Sequence, residues 1–114
     1  MITAVLYGRD GELTGFRASG HSGYAEEGSD IVCAAVSVLG ATCVNAMEKL
    51  LGVEARIRAN EAGLLDFDLP EIPEADRAAG AQLLMGALEQ GLRDVQEGYP
   101  QYLKLEMKRR RKER

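Results

Sequence analysis

The sequence predicts an α+β two-layer sandwich, in which a mixed five-stranded sheet carries two long helices in the order β-β-α-β-β-α-β. Three observations predict it. Two pairs of short strand-like runs are each joined by a glycine-containing turn, a long helical stretch follows each pair, and an alternating run closes the chain. Laying two helices against one sheet is the simplest way to bury these faces. At 114 residues the chain is one domain, large enough for a single core without disulfide or metal support.

Residues 2–8 read as a buried strand that stops at Gly8, and Asp10-Gly11 is a strong hairpin signal. Leu13–Ser19 returns as the second strand, with Leu13, Phe16 and Ala18 offered to the core and Gly15 marking a bulge. A glycine-punctuated loop follows, then a helix from about Asp30 to Leu51. Ser29 or Asp30 is its natural N-cap, and Gly52 its C-terminal stop. Ile31, Val32, Ala34, Ala35, Val36, Val38 and Leu39 wrap around nearly every side of this helix, which predicts full burial. Gly40 and Ala41 permit close approach of a second helix or of a partner subunit. Val53–Asn60 alternates cleanly, with Val53, Ala55, Ile57 and Ala59 on one side, and Leu65, Phe67 and Leu69 repeat the pattern beyond a turn at 60–63. Pro73 opens a second helix whose stripe comprises Ala75, Ala78, Ala79, Leu83, Leu84, Ala87, Leu88, Leu92 and Val95, ending at Gly98. Residues 101–108 form the last strand. Strand neighbours do not follow from periodicity.

Apolar residues at 46% and charged ones at 28% are ordinary globular usage. No run approaches the ~18 apolar residues needed to span a bilayer. The start Met-Ile-Thr-Ala-Val lacks the basic head and apolar stretch of a signal peptide, so a cytoplasmic chain is expected. Ten residues of helix would separate Cys33 from Cys43 by ~15 Å, too far for a disulfide. Two free thiols suit a reducing compartment. One histidine and no Cys-x-x-Cys pair leave a zinc site without support, and no cofactor is expected.

Charge is uneven. Lys108–Arg114 carries six basic residues and one acid, whereas the rest has eight basic residues against seventeen acidic. The division expected is a domain at 1–107 and a basic tail at 108–114. Such a tail is either a solvated end or a weak contact for RNA or a ribosomal surface.

The chemistry concentrates in residues 20–37. This stretch holds the only histidine, His21, and one of two cysteines, Cys33. A thiol three or four residues past a helix cap sits in the field of unpaired N–H groups, which favours the thiolate. Its own N–H or a neighbouring one is then a candidate oxyanion donor. His21, twelve residues upstream at a strand end, is placed to exchange a proton with the sulfur, which makes Cys33 and His21 a candidate nucleophilic dyad. Asp30 and Ser37 share the helix face of Cys33. Asp30 either orients His21 or caps the helix, and the two roles are compatible; Ser37 either bonds within the site or back to its own helix. Gly20, Ser22, Gly23, Tyr24, Gly28 and Ser29 make up a loop suited to opening and closing over substrate, although glycines serve turns equally well. Cys43 is expected in the core.

Read whole, Gly20-His21-Ser22-Gly23-Tyr24-Ala25 followed by Gly28-Ser29-Asp30-Ile31-Val32-Cys33-Ala34-Ala35-Val36-Ser37 resembles the signature of the bacterial ribosomal-processing cysteine protease family, Prp. The resemblance extends over the chain in length and element order. It implies a cytoplasmic, homodimeric endopeptidase that removes an N-terminal extension from a large-subunit ribosomal protein. It also implies Cys33 as nucleophile, His21 as general base, Asp30 and Ser37 in support, and an apolar cleft under the 20–29 loop. Two other readings compete: a non-catalytic ribosome- or RNA-associated module working through the tail, and a thiol-dependent acyl or redox enzyme acting on small molecules.

Overall fold

The structure is a computed structural model that describes residues 1–20 and 27–109, the side chains of 27–30 excepted. Strands β1 (Ile2–Arg9) and β2 (Glu12–Ser19) form the first hairpin. Asp10 at φ 54° and Gly11 at φ 82° provide the left-handed pair that a tight Asp-Gly turn requires. Helix α1 (Glu27–Leu51) follows, then the hairpin of β3 (Arg56–Glu61) and β4 (Leu64–Asp68), helix α2 (Ala75–Gly98) and β5 (Leu103–Arg109).

The sheet order is β3-β4-β2-β1-β5. The last strand lies parallel to the first, with Ile2 opposite Leu103 and Leu6 opposite Met107, and every other pair is antiparallel. The sheet is therefore mixed, as expected, with β3 and β5 at its edges. One parity of side chains meets both helices: Ile2, Ala4 and Leu6, Phe16 and Ala18, Phe67 and Leu69, and Leu103 share a core with Val32, Val36, Met47, Met85 and Leu92. The rings of Phe16 and Phe67 meet at 5.7 Å and a 50° tilt, an arrangement worth roughly 0.5–1.5 kcal/mol beyond burial.

The opposite parity forms the other face, where Asp66 and Asp68 are buried yet ionically matched. Arg17 approaches Asp66 at 3.6 Å, and Arg58 pairs with Asp68. Gly15 belongs to this arrangement, because a Cβ there would collide with Asp68 Oδ1. The strand irregularity lies beside it: Tyr7 faces Gly15 but Gly8 faces Leu13, leaving Thr14 as the extra residue.

Helix α1 departs from its expected form. Its buried stripe is narrow, comprising Val32, Val36, Gly40, Cys43 and Met47, whereas Ile31, Val38 and Leu50 are 52%, 62% and 72% exposed. A sheet contacts only one side of a helix, so apolar residues on the far side remain outside. Ile31–Leu51 is also long and apolar enough to cross a membrane, contrary to the expectation; its stripe in the core marks it as the central helix of this fold. Gly40 faces the sheet and neither helix nor partner, since a Cβ there would lie 2.6 Å from Leu65 Cδ2 and 3.1 Å from Phe16 Cε2.

The helix–helix seam uses glycines that the sequence did not single out. Leu39 seats on Gly91 and Leu51 on Gly80. On α2 the buried residues are Ala81, Met85, Leu88 and Leu92; Leu83, expected in the stripe, is 77% exposed. Arg77 clamps the end of α1, its Nε donating to Leu51 O at 2.9 Å and Nη2 to Gly52 O at 2.8 Å. Gln82 fastens α2 to β2 by receiving the Leu13 N–H and donating to the Leu13 carbonyl, both at 2.8 Å. The expected alternation of 53–60 breaks down. The strand starts only at Arg56, its register shifts between Ile57 and Ala59, and Ile57 is 47% exposed on the edge.

Candidate active site

The ends of three elements meet around Cys33. Val32 and Val36 anchor α1 to the core and turn Cys33 to the margin of the buried stripe, half-buried and packed on the core's edge. Beside it is a cavity of about 110 Å³. Cys33, Val36 and Ser37 line it from α1, Ile2, Ala18 and Gly20 from the end of the first hairpin, and Asn60, Glu61, Gly63, Leu64 and Leu65 from the second. Cys33 and Ser37 thus share a wall, as a four-residue helical spacing dictates. The cavity lining is mixed: Ile2, Ala18, Val36, Leu64 and Leu65 are apolar, whereas Ser37, Asn60 and Glu61 are polar.

Gly20 is fixed by backbone constraints. It has φ 97°, and a Cβ would sit 2.7 Å from the Met1 carbonyl oxygen. Its N–H donates to Gly63 O at 3.0 Å, tying the end of β2 to the second hairpin. Only glycine fits this position without strain. The chain therefore leaves β2 at the cavity rim, and in sequence His21 is the next residue. His21, Ser22, Gly23 and Tyr24 lie outside the described residues, as do the side chains of Ser29 and Asp30, and Gly28 is described only as part of the helix.

The helix start requires a correction. Because α1 begins at Glu27, Ser29 and Asp30 lie in its first turn and not at its cap, and Cys33 is its seventh residue. Only the first four N–H groups of a helix lack an internal partner. The Cys33 N–H is thus engaged in the helix ladder and is not the oxyanion donor expected, and Cys33 is beyond the first turn, where the helix field is concentrated. The residue types around Gly28 gave a plausible cap at 29 or 30, but continuation of the helix upstream overrode it.

The two cysteines have different settings. Cys43 is buried, with Sγ 3.7 Å from Met85 Sδ, and loss of hydration raises its pKa from the ordinary 9.0 to about 11. It is a core thiol, as expected. Among the described residues no three His, Cys, Asp or Glu side chains are grouped to hold a metal ion. Asn60 and Glu61 at the cavity were not anticipated from sequence, where they read only as turn residues.

An α+β sandwich with a half-buried cysteine at the wall of a cleft has the outline of a thiol hydrolase, and comparison with known proteins defines the class. The family model described as cysteine protease Prp matches residues 1–104. The Bacillus subtilis ribosomal processing cysteine protease Prp is 31% identical over 107 residues, covering 92% of this chain and 96% of its own. A crystal structure from Streptococcus mutans superposes with TM-score 0.83 at 32% identity, covering 96% of each chain. A Staphylococcus aureus ribosomal processing protease Prp in complex with a substrate peptide gives TM-score 0.80 at 26% identity, over 94% of this chain and 99% of that one. The same S. aureus protease with a covalently linked product peptide gives 0.79 at 27%, with the same coverage. The chain is a cysteine protease. It belongs to the Prp family of ribosomal processing proteases.

Proposed function

We propose that this protease removes the N-terminal extension of a large-subunit ribosomal protein, using Cys33 as nucleophile and His21 as general base. The observation that carries this reading is the shared cavity: Cys33 lines it, and so does Gly20, the residue immediately before His21. The covalently linked product peptide on the S. aureus relative fits nucleophilic chemistry in such a cleft.

The reaction runs in two stages. His21 takes the thiol proton, and the Cys33 sulfur attacks the scissile carbonyl. The C–N bond breaks as the new S–C bond forms, and the imidazolium returns its proton to the leaving amine. Water, deprotonated by His21, then attacks the thioester and restores the thiol. Ser37, on the Cys33 wall, hydrogen-bonds substrate in the cleft, and Asp30 orients His21. The 20–29 segment, with Ser22, Gly23, Tyr24, Gly28 and Ser29, closes over the peptide.

The enzyme works in the cytoplasm as a homodimer. The outer face of α1, with exposed Ile31 and Val38 around Ala34 and Ala41, is not covered by any of the described residues and supports a self-association surface. The basic segment begins inside β5, which includes Lys108 and Arg109. Residue Ile2, at the cleft, pairs with Leu103, and the strand carries the chain about 20 Å away before the tail begins. Lys108 and Arg109, the described part of the basic segment, therefore lie at the end of β5 away from the cleft. The test is incubation of the extended ribosomal protein with wild type and with Cys33→Ala under reducing conditions. Wild type cuts at one bond and the variant does not; an uncut substrate with folded, reduced wild type overturns the reading.

A further inference from the structure

We propose that Glu61, on the β3–β4 hairpin, is a specificity-determining residue that selects a basic side chain on the peptide close to the scissile bond. The proposal rests on the assignment of Cys33 as nucleophile and extends it to substrate choice.

Glu61 is the one charged residue lining the described part of the Cys33 cavity. Its carboxylate has no hydrogen-bond or ion-pair partner among the described residues, in contrast to the buried aspartates on the other sheet face, each matched by an arginine. The hairpin that presents it is not a loose tip. Glu61 is in register with Leu64, Gly63 turns the chain at φ 81°, and the Gly63 carbonyl receives the Gly20 N–H. A negative charge, uncompensated among the described residues, therefore stands on the cavity rim beside Gly20.

Beside it the wall offers apolar surface, with Leu64 and Leu65 following Glu61 along the hairpin. A lysine or arginine suits this combination: its aliphatic stem covers leucine surface while its cationic head reaches the carboxylate. A neutral residue leaves Glu61 partly desolvated without a partner, and an acidic residue adds repulsion. Asn60, beside it and on the same cavity, adds a neutral donor and acceptor that suits the peptide main chain.

The test uses peptides spanning the extension junction, with Lys, Gln or Glu placed in turn at each position flanking the scissile bond, and compares kcat/KM ratios. At one position wild type prefers Lys over Gln by about 3–10-fold, a preference that 0.5 M salt reduces, as expected of a rim ion pair. Glu61→Gln brings that ratio to about one, Glu61→Asp retains part of it, and Glu61→Lys reverses it in favour of Glu. Glu54→Gln makes the same change in net charge at the far end of α1 and leaves the ratio alone. Because each ratio is internal to one enzyme, a general loss of activity does not mimic the effect. A wild type that cuts all peptides equally, or a preference that survives Glu61→Gln, overturns the role of Glu61 while leaving Cys33 untouched. Failure of wild type to cut any of them overturns both.

Discussion

Replacing Gly20 by alanine links backbone strain to catalysis. The new Cβ meets two obstacles, a φ of 97° that L residues rarely adopt and the Met1 carbonyl oxygen at 2.7 Å. Left-handed backbone costs a non-glycine residue roughly 1–3 kcal/mol. The second obstacle is softer, since Met1 is 62% exposed and can withdraw, although the Ile2 N–H bond to Tyr102 O limits how far. We expect a loss of about 1–3 kcal/mol, which for a domain of this size lowers Tm by roughly 4–12 °C. The larger effect is kinetic. Relief of the strain rotates the junction between Ser19 and His21, and a misplacement of ~1 Å at a reacting group costs on the order of 10²-fold in rate. Urea unfolding and peptide cleavage on the same preparation separate the two, because the folded fraction at low temperature stays near unity. A Gly20→Ala protein within about 0.5 kcal/mol and twofold of wild type would refute the reasoning.

Further outcomes follow from other contacts. Arg77→Ala leaves the Leu51 and Gly52 carbonyls without their donors and lowers stability by about 1–2 kcal/mol in urea, with Arg77→Lys intermediate. Gly40→Ala forces apart Leu65 and Phe16 and costs about 1–3 kcal/mol by the same measurement. His21→Ala lowers kcat about 10²–10⁴-fold with a smaller change in stability. Cys43 holds its proton up to about pH 11 when folded, whereas the unfolded chain releases it near pH 9. Stability therefore falls as pH rises across that interval, and Cys43→Ala removes this part of the dependence even as it lowers stability overall. Thiol labelling of native protein accordingly modifies Cys33 well before Cys43.

How much was legible in the sequence depended on whether the signal was local. The Asp10-Gly11 hairpin, the turn at Gly63 and the end of α1 at Gly52 were readable because glycine and its neighbours encode backbone conformation directly. Strand order was not, since the parallel pairing of β1 with β5 depends on a contact between the two ends of the chain. Helix α1 shows the same limit. Its composition is apolar nearly all round, but which side meets the sheet is set by where Gly40 seats on Phe16, so Ile31 and Val38 could not be assigned outward in advance. At the site, Cys33 and Ser37 followed from helical spacing. Asn60 and Glu61 did not, because nothing in a turn's own residues tells which distant cleft it will border.

The central claim is that the Cys33 sulfur carries the substrate's acyl group during turnover. Acid quenching of wild type mixed with the extension peptide, followed by intact-mass spectrometry and peptide mapping, tests it most directly. We expect an adduct weighing the amino-terminal fragment less one water, located on Cys33 and missing from Cys33→Ala. Cleavage at the same bond by Cys33→Ala would contradict it.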